Sequence, residues 1–202
     1  VLAVSSGRLE AEIAPAFTRN GLHILEEGQW RFHNVPKVSS WDANKIWDFI
    51  SIAVNPKNPK EIASSTYSFV PLTVLTETDT LIFDQTNSPL EPVSIGSGWS
   101  LVSSVKYDER GNLWCLNGYT DRPLKVLQKD GTWLSFYSGV ASSNKMTTKL
   151  EIDFQDNVWM GTYSNGLTGL KHNGTLDDPS DDQFVSLGTG ELLGNLPSNK
   201  IT

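Results

Sequence analysis

Apolar and polar residues alternate along short stretches of this chain, and the alternation restarts after clusters of Gly, Asn, Asp and Pro. That period predicts strands joined by turns rather than amphipathic helices. Two stretches align without a gap, 107–117 and 152–162, at an offset of 45 residues. In the first, Val102, Val105 and Tyr107 lead into a Gly111-Asn112 turn and the chain leaves through Leu113-Trp114. In the second, Leu150 and Ile152 lead into Asp156-Asn157 and the chain leaves through Val158-Trp159. Each predicts a β-hairpin, its register fixed by the buried side and by the turn. A diverged third copy runs out along 49–55, turns over 56–60 and returns along 61–66, with its prolines confined to the turn where no ladder hydrogen bond is lost.

A second motif follows each hairpin. Leu22-His23-Ile24-Leu25 with Gly28-Gln29-Trp30 resembles Leu124-Lys125-Val126-Leu127 with Gly131-Thr132-Trp133. The stretch 167–175 gives a third version around Asn173-Gly174, and Leu81-Ile82-Phe83-Asp84 begins a looser fourth. Hairpin plus hairpin makes a four-stranded unit of about 45 to 55 residues, the spacing of a propeller blade. The expected fold is therefore all-β, a β-propeller of about four blades near 1–38, 41–95, 99–140 and 144–190. Ser198-Asn199-Lys200-Ile201-Thr202 repeats Ser143-Asn144-Lys145-Met146-Thr147, so 195–202 is expected to start a further blade, as part of a larger ring.

Composition narrows what such blades do. Seven Trp, sixteen Gly and ten Pro in 202 residues suit strands and turns, and 38% hydrophobic content supplies a sizeable core. The net charge of −7 has no run of Lys or Arg within it, which removes the electrostatic footprint of nucleic-acid binding. No apolar run approaches the roughly 18 residues of a membrane helix. The single Cys115 cannot form an internal disulfide and reads as a small buried strand residue.

The pattern Asp-x-x-Gly-Asn-Leu-Trp at 108–114, followed by Gly-Leu at 166–167 and Asn173-Gly174-Thr175, resembles the two-component-regulator propeller repeats common in Bacteroidetes. Asn20-Gly21-Leu22 with Gly28-Gln29-Trp30, Val54-Asn55-Pro56 with Asn58-Pro59, and Asn87-Ser88-Pro89-Leu90 narrow the likeness. Asp177-Asp178 with Asp181-Asp182-Gln183, and Gly194-Asn195-Leu196-Pro197, narrow it further. Together they resemble the N-terminal propeller of PorZ-like proteins, surface components of the type nine secretion system. The resemblance implies a secreted, non-catalytic binding and scaffold module at the periplasm or cell surface, helping attach lipopolysaccharide to secreted cargo. Its implied partners are a secretion-system protein or a cell-surface glycan. The alternative is the periplasmic glycan-sensing propeller of a hybrid two-component sensor, and a more distant one is a propeller lyase.

No catalytic residue, cofactor or metal site is expected. His23, His33 and His172 stand in unrelated contexts without ligand spacing, and a lyase would need converging His and metal. The acidic stretch 177–182 lacks the glycine and closing Glu of a calcium loop and reads as a solvated turn. Trp30, Trp114, Trp133 and Trp159 recur at hairpin positions and are assigned to packing between blades, whereas Trp41, Trp47 and Trp99 precede or open blades. Because strand direction alternates, the segments leading into each first strand and those leaving each second strand emerge on one face. That face would carry Trp41, Trp99 and Asn144 from the lead-in segments, with Tyr67, Tyr119, Tyr163 and Asn165 from the exit loops. Such residues suit a sugar ring or a peptide. Association of two chains to complete a ring is also expected, because an open stack of blades leaves apolar faces at its two ends.

Overall fold

A computed structural model describes residues 1–7, 15–34, 41, 46–94, 96–139 and 143–202. The described chain forms sixteen strands in four antiparallel sheets and one short 3-10 turn, Glu191–Leu193. The first sheet holds β1 (Leu2–Ser5), β2 (Leu22–Glu26) and β3 (Gln29–His33). In the second, β4 (Ser51–Val54), β5 (Ile62–Ser65), β7 (Leu72–Leu75) and β8 (Thr80–Phe83) follow in order. β9 (Ser100–Tyr107), β10 (Leu113–Asn117), β11 (Leu124–Leu127) and β12 (Trp133–Phe136) make the third, which the short β6 (Tyr67–Ser68) extends beside β9. The fourth runs β13 (Thr147–Ile152), β14 (Val158–Thr162), β15 (Leu167–Lys171), β16 (Gln183–Leu187). No helix among the described residues is long and apolar enough to cross a membrane.

Packing follows the alternation along the central strands. In β10, Leu113 and Cys115 join a core with Ala63, Val74 and Leu90 of the second unit, while Trp114 and Leu116 join one with Leu150, Val158 and Met160 of the fourth. A strand buried on both faces reads as a continuous apolar run, which explains why Leu-Trp-Cys-Leu shows no polar alternation. A third core, with Leu22, Ile24, Phe49 and Ile62, lies between the first and second sheets. The leading strands β4, β9 and β13 lie side by side, so the sheets fan out from a common inner edge.

The two gapless repeats form hairpins with the same internal bracing. Asp108 Oδ1 accepts the Arg110 and Asn112 amides at 2.9 Å each, and its Oδ2 accepts Asn112 Nδ2 at 2.8 Å and Trp114 Nε1 at 3.2 Å. Asp153 repeats this with the Gln155 and Asn157 amides at 2.9 and 3.0 Å, and with Asn157 Nδ2 and Trp159 Nε1 at 2.9 Å each. The turn residue needing positive φ is Gly111 at 88° in one and Asp156 at 66° in the other.

Several expectations are corrected. The looser outer hairpin of the second unit does not begin at Leu81: β7 already supplies its third strand, and Leu81-Ile82-Phe83 belongs to the last. All four residues of β7 are buried, so the run carries no alternation to mark it. The outer hairpin of the fourth unit turns over 172–182 before returning at Gln183, so Thr175 lies in the turn with the acidic stretch. Trp30 is 47% exposed on the outward face of the first sheet rather than packed between sheets. That sheet has three described strands, with β1 paired to β2 as second strands pair to third strands elsewhere. The expected unit boundaries near 38, 95 and 140 fall outside the described residues.

Candidate functional site

The lead-in and exit loops share a face, and main-chain hydrogen bonds stitch each unit to the next there. The Gly7 amide donates to Phe49 O at 2.8 Å, and the Val102 amide to Thr66 O at 3.3 Å. Across the following junction the Tyr119 amide donates to Lys145 O at 2.8 Å and the Asn144 amide to Thr120 O at 2.7 Å. The tail 199–201 meets the fourth sheet's exit loop, with the Ile201 amide on Thr162 O at 3.1 Å and the Gly166 amide on Asn199 O at 2.8 Å.

Trp99 sits at the middle of an aromatic cluster gathered from these loops. Its ring centroid lies 4.9 Å from Phe69, 5.7 Å from Tyr67, 6.1 Å from Phe17 and 6.5 Å from Trp47. The Phe17 and Tyr67 rings meet it nearly edge-on, at 82° and 71°. Phe17 also contacts Trp47 at 5.5 Å, over which Arg19 Cζ stands at 5.7 Å. These rings come from four segments between 15 and 99, so no single repeat encodes the cluster.

Phe17 is held there under strain. Its φ is 55° and its side chain is 54% exposed, an uncommon conformation for a bulky residue. Asp48, wholly buried and itself at φ 53°, accepts the Phe17 and Thr18 amides and the Thr18 hydroxyl, each at 2.8 Å, and donates its own amide to Thr18 O. Backbone strain of this kind persists only where surrounding bonds impose it, and it concentrates at ligand-binding sites.

The face continues past Trp99. Burial raises the Tyr67 phenol, and burial, with a smaller contribution from Tyr67, raises that of Tyr119. Tyr119 is exposed at φ 62°, and Asn144, also exposed at φ 53°, donates to Asp121, which accepts Ser143 Oγ as well. At the next junction Lys200 Nζ lies 4.5 Å from the Tyr163 ring centre, and the Asn165 amide donates to Thr162 Oγ1. Tyr67 and Trp99 thus come into direct contact, with Tyr119 and Asn144 at the adjoining junction and Tyr163 and Asn165 at the one after. Trp41 does not join them: it is fully buried, 4.7 Å from Phe49, because its indole fills the seam between the first two sheets. Phe17, Trp47, Phe69 and Asp48 were absent from the sequence-based set of site residues. Of these only Trp47 carries a local signal, a large aromatic just ahead of a strand and out of hairpin register.

Elsewhere the chemistry is quiet. Cys115 is fully buried and its thiol is pushed up to about 12 by burial, so it stays protonated. His172 is buried against Trp114 at 5.7 Å and accepts the Gly174 amide on Nδ1 at 3.3 Å. Among the described residues no three His, Cys, Asp or Glu side chains converge on a point that could hold a metal ion.

Four sheets stacked face to face about a shared inner edge, with strands ordered outward in each, are blades of a β-propeller. No family model matches the chain, and no curated protein matches it in sequence. Among solved structures it is similar to PorZ, an essential bacterial surface component of the type-IX secretion system of Porphyromonas gingivalis. The TM-score is 0.79 at 18% identity, over 98% of this chain and 28% of that one. It also resembles the extracellular domain of a hybrid two-component system from B. thetaiotaomicron, at TM-score 0.55 and 15% identity, over 91% of this chain and 21% of that one. A streptogramin B lyase superposes at TM-score 0.48 and 11% identity, over 69% of this chain and 40% of that one, too loosely to bear on chemistry. The chain spans less than a third of the length of PorZ or of the two-component domain. The PorZ-like resemblance read from the sequence is borne out as a likeness of fold.

Proposed function

We propose that this chain is a non-catalytic binding and scaffold module of an exported protein acting at the periplasm or cell surface, and that the loop face around Trp99 receives its partner. The observation that carries this reading is the aromatic cluster around Trp99, with Phe17 held out at positive φ by the buried Asp48 carboxylate. Packing alone would not require Phe17 to sit half in water at positive φ. In its finer form the parent protein is PorZ-like and assists attachment of lipopolysaccharide to secreted cargo, its partner being a secretion-system protein or a surface glycan. The extent of the likeness to PorZ, 98% of this chain, supports that form. A periplasmic sensing role in a hybrid two-component protein is the second reading, supported by the lower TM-score of 0.55.

Parallel screens of the purified chain against immobilised glycans, lipopolysaccharide included, and against displayed peptides test the assignment. A ligand whose binding is lost in Trp99→Ala and kept in Trp159→Ala is the expected result. Absence of any ligand, or binding indifferent to Trp99, would sink the loop-face assignment.

A further inference from the structure

The loop face has a chemistry that selects among partners, and the argument rests on the binding role proposed above. Stacking of a pyranose needs an aromatic ring with one flat face open to solvent. Trp99 offers none readily: Phe17, Trp47, Tyr67 and Phe69 surround it, two of them nearly edge-on. What remains accessible are ring edges and the crevices between them, around Phe17 and Phe69, which are 54% and 37% exposed. Crevices of that kind take a branched or aromatic side chain as an anchor.

Charge adds a second constraint. Lys145 and Lys200 occupy the same place in the repeated Ser-Asn-Lys lead-in, the first accepting the Tyr119 amide on its main-chain carbonyl and the second with its ammonium over Tyr163. No salt bridge engages either among the described residues. Of the described carboxylates nearby, Asp48 is wholly buried beneath Phe17 and Thr18, and Asp121, bonded by Ser143 and Asn144, forms no salt bridge with Lys145 or Lys200 among the described residues. The junctions are contiguous: Tyr67, in contact with Trp99, pairs with Leu101, whose carbonyl accepts the Gly118 amide next to Tyr119, and the Tyr119 and Tyr163 amides bond Lys145 O and Met146 O before Lys200 reaches Tyr163. Most of the chain's net charge of −7 is felt only weakly at these lysines, because exposed charges more than about 8 Å away are largely screened at physiological salt.

We propose that the partner of this face is an acidic peptide segment of another protein, carrying an apolar anchor residue that seats beside Trp99 between Phe17 and Phe69, with flanking carboxylates that meet Lys145 and Lys200. Apolar anchoring supplies most of the affinity, and the lysine pair sets direction and speeds encounter.

A random-peptide display library panned on the whole chain, with the Lys145→Glu/Lys200→Glu variant as counter-target, supplies the consensus. A synthetic peptide of that consensus is then titrated by fluorescence anisotropy. The expected consensus places Asp or Glu beside an aromatic or branched aliphatic residue. Its affinity should fall about tenfold or more in the double lysine variant, and comparably in Phe69→Ser, with added salt weakening the wild type but not the lysine variant. Circular dichroism and thermal melting check that the variants fold, and a second charge reversal on the opposite face, Lys129→Glu, should leave affinity unchanged. A consensus without acidic residues, or one indifferent to the lysine pair, overturns the proposal. Titration with a neutral oligosaccharide and with polygalacturonate separates the two levels: if only these bind, through Trp99, the face stands and the peptide assignment falls. Silence in every arm removes both.

Discussion

The third and fourth units carry the same seven-residue brace, yet its tryptophan meets two different surroundings. Trp114 is wholly buried, stacked between Phe136 at 5.5 Å and His172 at 5.7 Å, with the fourth sheet closing over it. Trp159 makes the same bond to its aspartate, but its ring lies over Gly169 at the outward face of the fourth sheet and is half-buried. The bonding pattern is therefore a property of the hairpin. The burial is a property of the neighbour. A repeat can keep the same local geometry while its copies contribute unequally to stability, because apolar stabilisation scales with area removed from water.

The largest test of that contrast is truncation of each indole. Trp114→Ala should cost about 3 to 5 kcal/mol and Trp159→Ala about half as much, read from urea midpoints. Equal losses would mean that the brace, not burial, sets the contribution. Next comes removal of the carboxylate. Asp108→Ala strands a buried indole N–H, a side-chain amide and two main-chain amides, and should cost on the order of 3 kcal/mol, whereas water can reach part of the Asp153 site and soften the same change there. A methyl group at Gly169 would stand 2.8 Å from the Trp159 ring, so Gly169→Ala should displace the indole, redden its emission and lower stability by about 1 to 2 kcal/mol.

The smallest effect concerns acid. Desolvation pushes the Asp153 carboxyl upward, but hydrogen bonds from Trp159, Asn157 and Gln155 outweigh it and hold the group at about 2, below the usual 3.8. A carboxyl depressed in the folded state stabilises the fold above its unfolded value, and that contribution is lost as pH falls through the folded one. The stability gap between wild type and Asp153→Asn should therefore stay constant above about pH 5 and close between about pH 4 and 2. A gap that persists at pH 2 would show that the brace works by shape rather than charge.

The second unit shows the limit of the repeat. Asn55 stands where the third and fourth units have aspartate; its Oδ1 accepts the Lys57 amide at 2.9 Å and its Nδ2 donates to Glu61 at 3.0 Å, with no tryptophan to brace. Tyr107 of the next unit donates to that same Glu61 at 2.8 Å, so a bond between units takes the place of one within the hairpin. The local signature faded there because the stabilising partner moved to a neighbouring sheet.

What the sequence by itself determined was whatever is closed within a few residues: the strand alternation, the Gly111 and Asp156 turns, the Asp-Asn-Trp braces and the all-β propeller class they add up to. Strand direction alone also led to the expectation that Tyr67 and Trp99 lie on one face, and their rings stand 5.7 Å apart. The tertiary structure decided which tryptophans are covered, sending Trp41 into the seam and leaving Trp30 in water, because burial depends on the sheet next door and not on the hairpin that bears the ring. It likewise decided the cluster around Trp99. Phe17 reaches it only because Asp48, thirty-one positions along the chain, accepts the hydrogen bonds that hold the turn, and contacts at that separation leave no period in the sequence from which to read them.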